Sequence, residues 1–313
     1  MKTKLLLTTI AGALSAASLA TTESPAAVQP STSDLQPDHG WNWAMGEGVT
    51  FDETPIVSAE VSLAFDSKYL SYGFIDNNEP ILTPSGALTF FDWVTLGSSA
   101  IFDLTPYGRR AGYKDREWKT IEYHPTANLG HTFGPDDFAW LPTTVEFSFG
   151  YDYEYHPRVC TEGAPRGGDT QYVTFELSLP DLWLEPAFLY ERDLMRDNGT
   201  YLQLELGHTL ELIEETLTFK PSIAQGWGNA QRLRDYACRA DDEPLDYAAL
   251  MDTVVKGEFE WTITDGVALS AYVAYSDFLF DAGVREAAAR YEATGDCGRS
   301  WNFLAGAALT VSF

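Results

Sequence analysis

Beyond residue 20 the sequence has no apolar stretch long enough to cross a membrane as a helix, which takes about 20 residues. Every later apolar run is broken by polar or charged residues within a few positions. Helical membrane spans are therefore excluded from the body of the chain. Positive charge is scarce as well: 20 Lys and Arg stand against 46 Asp and Glu, a net charge of −26. So acidic a chain repels phosphate backbones, which excludes nucleic acid as a partner and argues against binding anionic lipid by charge. Cysteine is nearly absent, with three in 313 residues. That is too few for a disulfide scaffold, and the number is odd. The signatures of a nucleophile elbow (Gly-x-Ser-x-Gly), a zinc protease (His-Glu-x-x-His), a phosphate-binding loop and a redox Cys-x-x-Cys pair are all missing. No catalytic residue, cofactor or metal ligand is assigned from the sequence, and an enzyme is not expected.

The chain begins with Lys2 and Lys4, an apolar run over 5–19 and the small-residue exit Ser18-Leu19-Ala20. This is the pattern of a secretory signal peptide cleaved after Ala20; an N-terminal anchor is the alternative, for which the run is short. Loss of the two lysines takes the charge from −26 to −28. Residues 21–55 are rich in Ser, Thr, Pro, Ala and Asp, with Gly40-Trp41-Asn42-Trp43 as one sticky spot. They read as a periplasmic linker or small plug. The rest, 56–313, is one all-β domain.

That domain is written in a period of two. Over 145–155, apolar or aromatic residues fill every odd position and polar or small ones every even position. Residues 202–207, 253–261 and 267–275 repeat the pattern. A strand so composed has one greasy and one wet face. A soluble β-sandwich also alternates, but its strands run to about 5 or 6 residues; many of these runs are twice that. Aromatics also crowd the run ends, among them Tyr69, Tyr72, Trp93, Tyr155, Trp183, Trp261 and Trp301, as in the interfacial belts of membrane barrels. A barrel strand needs only about 9 to 11 residues, alternate ones apolar.

Twelve strands are expected, within a range of 10 to 14, the first over 57–73 and the last over 301–313. The connections alternate between tight and long. Those near 91–92, 134–141, 180–182, 212–215 and 264–265 are mostly short, while several on the other side are long and polar. This is the asymmetry of periplasmic turns and outer loops, and an even strand number returns both termini to the periplasmic side. The predicted fold is a transmembrane antiparallel up-and-down β-barrel. Closure leaves no unpaired strand edge in lipid.

The last thirteen residues carry a resemblance. Leu309, Val311 and the terminal Phe313 stand on the apolar side of the final strand. The segment resembles the closing strand of Gram-negative outer-membrane proteins, and the resemblance implies that these three form the signal read by the barrel assembly machinery. At a finer level, Ser67-Lys68-Tyr69-Leu70-Ser71-Tyr72-Gly73, followed by Pro80 and Pro84-Ser85, resembles the first hairpin of small porins of the TorF-like type. Implied by these likenesses are a place in the bacterial outer membrane, contact with its lipid and lipopolysaccharide, and a passive channel.

The wet face gives candidate lumen residues. Glu60, Asp66, Lys68, Glu122, Glu146, Asp152, Glu154, Glu176, Glu205, Lys220, Lys256, Glu258 and Glu260 point inward by the alternation, as do Glu185 and Glu191. That is twelve carboxylates against three lysines. Such a lining favours cations, so the expected function is a porin-like passage for small polar or cationic solutes. The alternatives are a plugged barrel whose lumen charges satisfy one another and whose outer loops do the work, and an outer-membrane enzyme of phospholipase type. The last requires a Ser–His contact at the outer rim, where His124 and His156 fall. The long loops hold all three cysteines, with Cys238–Cys297 the expected disulfide and Cys160 left over. Gly283 to Thr294, with Glu286 and Arg290 four apart, predicts a short helix on a loop. Asp241, Asp242, Glu243 and Asp246 form an acidic cluster that reads as a solvated loop or a calcium site. Oligomeric state is not encoded legibly.

Overall fold

A computed structural model describes residues 56–104, 120–138, 140–156, 169–237, 244–290 and 299–313. The expected signal peptide, the linker and all three cysteines lie outside these residues, as do Asp241, Asp242 and Glu243. Fifteen strands are formed: β1 (Val57–Asp66), β2 (Tyr69–Ser71), β3 (Phe74–Asn77), β4 (Ile81–Phe90), β5 (Val94–Asp103), β6 (Thr120–Phe133), β7 (Val145–Glu154), β8 (Thr170–Ser178), β9 (Ala187–Asp193), β10 (Thr200–Gly207), β11 (Leu210–Ile213), β12 (Leu217–Gly228), β13 (Ala249–Thr264), β14 (Val267–Asp277) and β15 (Trp301–Ser312). Among the described residues two short helices, α1 (Ala230–Tyr236) and α2 (Ala282–Arg290), sit in long connections.

Twelve of these strand positions close into one antiparallel barrel. Each pairs with its sequence neighbours, β11 extends β10 along the same partner, and β10 closes on β12. The first strand meets the last: Glu60 lies opposite Ser312 and Asp66 opposite Gly306. Backbone bonds continue the seam past the ladder, Ser67 N–H to Ala305 at 2.9 Å and Phe313 N–H to Ala59 at 2.9 Å. The ring is thus closed by backbone pairing from first strand to last, which is what hydrocarbon demands.

The two faces sort as the alternation predicts. Along β14, Leu269, Val273 and Tyr275 are exposed while Ser270, Tyr272, Ala274 and Ser276 are buried. Val61, Leu63 and Phe65 stand outward on β1, and Val255, Phe259 and Trp261 on β13. A closed sheet with a continuous outward apolar band spans a membrane, since water would have no reason to face it. Among the described residues no helix is long and apolar enough to cross. Aromatics mark both ends of the band, with Trp93, Trp140 and Trp183 at the tight-turn end and Tyr123, Tyr155 and Trp301 at the other.

Two expectations are corrected. The first strand does not run to Gly73. It stops at Asp66, and β2 and β3 form a separate two-stranded sheet. Tyr69 and Tyr72 are not belt aromatics; they are 3% and 5% exposed, inside the barrel. The reason is visible in the local sequence. Tyr69-Leu70 and Phe74-Ile75 put apolar residues side by side, which suits a ribbon buried on both faces rather than a wall with one face wet. The helix expected over 283–294 is present as α2, with the Glu286–Arg290 pair at 2.6 Å.

Candidate functional site

The candidate site is the lumen. The β2–β3 hairpin enters it from the long-loop end. Its turn is Tyr72-Gly73, with φ of 53° and 85°. Positive φ at both central residues is the tight hairpin turn whose twist matches its strands. A Cβ on Gly73 would lie 2.6 Å from the Asp252 Cβ and 2.8 Å from the Phe278 ring. Only glycine allows the tip to seat so deeply.

Three apolar clusters hold the hairpin. Its tip, Tyr72 and Phe74, joins Leu189 and Tyr201 of the wall, Leu233 and Tyr236 of α1, Met251 of β13, Phe278, and Val284 of α2. Leu70 and Ile75 pack against Ala224, Val254, Tyr272, Ala274 and Leu304 on one wall. Tyr69 packs against Ile81 and Ile101 on another. Leu70, Phe74 and Ile75 are 0%, 1% and 3% exposed. The loop-side half of the barrel is filled.

Polar groups in this half are interlocked. The Tyr72 hydroxyl donates to Glu191. Arg232 of α1 is fully buried, donates to the same Glu191 oxygen at 3.1 Å, and reaches Asp197 at 3.4 Å. Its guanidinium lies 4.5 Å from the centre of the Tyr72 ring. Burial raises the carboxyl of Asp197, in the turn after β9, above its ordinary range, and Arg232 pulls it back. Tyr201 donates to Asp252 at 2.9 Å, and Tyr272 to Asp66 at 2.5 Å. On the β6–β7 wall, Tyr69 donates to Glu122 at 2.5 Å. His124 stands between Glu122 and Asp152, at 3.2 Å and 3.1 Å. His156 meets Glu154 at 3.0 Å and Glu122 at 3.5 Å.

The other half, toward the tight turns, carries a looser polar lining. Lys256 and Glu258, neighbours on the inner face of β13, pair at 2.9 Å. Glu205 on β10 is buried, as is Ser222 opposite Gly207 on β12. Glu60, Glu176 and Glu260 are half-buried on the inner face. Glu146 accepts from the Ser178 hydroxyl at 2.6 Å. At the turn end Glu185 binds the Thr209 hydroxyl at 2.9 Å and Lys220 at 3.3 Å.

Except for Lys68 and Glu185, the candidate lumen residues lie on barrel strands, and Glu185 sits in the tight turn before β9. Lys68 lies between β1 and β2, where the chain leaves the wall. Of the acidic cluster only Asp246 lies among the described residues, and its carboxylate is bound by Arg234 in an exposed ion pair. Both rim histidines are engaged by carboxylates rather than by serine. Sequence reasoning missed Asp252, although it shares the parity of Lys256; the alternation puts Tyr272 on the wet face beside Ser270, but nothing in it shows the bond to Asp66. Arg232 had no such signal, because nothing in a connecting segment says which way a side chain turns.

No protein-family model matches the chain, and no curated protein is similar to it. Solved structures do align with it. A NanC porin aligns over 81% of this chain and 98% of its own, at TM-score 0.45 and 10% identity. An outer membrane channel from Pseudomonas putida F1 covers 86% and 100%, at 0.43 and 9%. OmpT, an outer membrane protein of Vibrio cholerae, covers 82% and 96%, at 0.34 and 11%. At such scores the barrel assignment stands on the strand pairing itself: a closed twelve-stranded antiparallel barrel.

Proposed function

We propose that this barrel is a narrow passive channel of a bacterial outer membrane, for small polar or cationic solutes, with the β2–β3 hairpin as its constriction. The observation that carries the reading is the inner face toward the tight turns. There Glu60, Glu176, Glu205, Glu258 and Glu260 share the lining with Lys220 and Lys256. Carboxylates in excess inside a low-dielectric wall attract cations and repel anions. The resistance sits in the loop-side half, where the hairpin fills the bore. The exposed Leu309 and Phe313 at the end of β15 suit the proposed assembly signal, with Val311 half-buried between them. The likeness of 67–73 to TorF-like porins belongs to the same reading. Lipid and lipopolysaccharide are the expected surroundings of the apolar band.

A second reading has its own support. The three apolar clusters and the Arg232 network lock the hairpin on several sides, which suits a plugged barrel acting through its outer loops. Conductance of the refolded protein in a planar bilayer, with reversal potential under a salt gradient, separates the two. Small cation-selective steps that grow when the hairpin is disrupted by Gly73→Val support the channel. Silence from both proteins, each shown to be folded and inserted, overturns it in favour of the plugged barrel.

A further inference from the structure

One cluster among the lumen charges has the donor set of a metal site. Glu122, Glu154 and His156 each offer a ligand atom, and the three atoms lie within 4.8 Å of one another. The His156 Nε2 sits 3.0 Å from Glu154 Oε1 and 3.5 Å from Glu122 Oε1. Ligand atoms about 2.1 Å from a shared ion lie about 3.0 to 3.4 Å apart in octahedral or tetrahedral geometry. The two histidine–carboxylate distances suit an ion shared among the three.

We propose that Glu122, Glu154 and His156 form a binding site for a first-row divalent transition metal of the zinc type at the loop-side mouth of the barrel. Glu122 is held by outer partners, as metal ligands are. The second oxygen of Glu122 accepts from Tyr69 at 2.5 Å and faces His124 at 3.2 Å. His124 is held in turn by Asp152 at 3.1 Å. The backbone of His156 donates to Asp169 at 3.1 Å, Asp169 also accepts from Tyr153 at 2.9 Å, and the adjacent Tyr155 bridges to Tyr123. Two polar atoms of the group, Asp152 Oδ1 and His156 Nδ1, are buried without a hydrogen-bond partner. Charge gives a second reason. Three carboxylates, of Glu122, Asp152 and Glu154, gather around two imidazoles here, a surplus of acidic ligands that suits a cation. One imidazole among the ligands selects zinc-like ions over calcium or magnesium, which take oxygen alone. Three protein ligands leave a position for water. Through Glu122 and Tyr69 the ion would also tether the hairpin to the wall.

The site stands whether or not the barrel conducts. The test is calorimetric titration of the full refolded chain, stripped with chelator, with zinc chloride in excess magnesium. One saturable site per chain is expected, weakened at least tenfold by His156→Ala or Glu154→Gln and unchanged by His208→Ala at the opposite end. Cobalt(II) in place of zinc should give visible absorption that both site variants lose. Folding of each variant is verified by its heat-modifiable gel mobility. His156 lies at the rim, so His156→Ala remains decisive even if Glu154→Gln fails to fold. Absence of saturable zinc binding, or full affinity in folded His156→Ala, overturns the site.

Discussion

At the scale of the residue, Gly73 and Arg232 decide whether the lumen stays filled. Gly73→Val meets two obstacles. An L side chain at φ of 85° costs about 1–2 kcal/mol, and its Cβ would overlap Asp252 and Phe278. The hairpin tip should leave its seat while the wall persists. The expected result is a lower unfolding temperature in detergent with unchanged β content by circular dichroism. Arg232 works through charge. Replacing it by Met leaves Glu191 and Asp197 without their shared buried guanidinium, a loss of about 3–5 kcal/mol by the measure of other buried pairs. Arg232→Met combined with Glu191→Gln should recover part of that loss. Urea titration of the single and double variants checks this, and equal stability of the two would remove Glu191 as the partner that matters. Glu205→Gln takes a carboxylate from the inner lining without breaking an ion pair seen here, so it should lower cation preference. The reversal potential under a salt gradient reads that change.

At the scale of the element, what was legible follows from how each piece is solvated. Strands β7, β13 and β14 have one face to lipid and one to the lumen, so composition alternates and the sequence tells the faces apart. Helix α2 was legible from the spacing of Glu286 and Arg290. The β2–β3 hairpin was not, because burial on both faces erases alternation, and its residues read as the end of β1. Helix α1, with seven residues, is too short for a periodic signal, though Asn229 caps it by accepting from the Arg232 N–H. The lumen lining was legible as a set of inward carboxylates, whereas the pairing among them was not. Partners such as Tyr72 and Glu191, 119 residues apart, meet only through the closed ring.

At the scale of the whole molecule, the outward band is continuous and the first and last strands of the barrel are joined. Charge placed in that band should therefore be costly wherever it falls near the middle. Val255→Arg, on the outer face of β13, should cost about 2–4 kcal/mol if Val255 lies near the midplane. The corresponding inward change, Val254→Thr, should cost less. Folding into lipid vesicles, followed by urea titration, compares the two.

The seam between β1 and β15 has a consequence in time. In chain order the last strand of the barrel is the one that must clasp the first. Until that clasp forms, the curved sheet has no interior. The hairpin hangs from β1 at one lip of the seam, and its anchors Tyr201, Asp252 and Phe278 belong to the far side of the curl. Seating is therefore a late event, and long loops to such anchors are slow to close. A newly formed barrel passes through a moment when its bore is vacant and its stopper is loose. Whatever diffuses in then, whether ion, detergent or lipid tail, competes with this protein's own first connection for the same space.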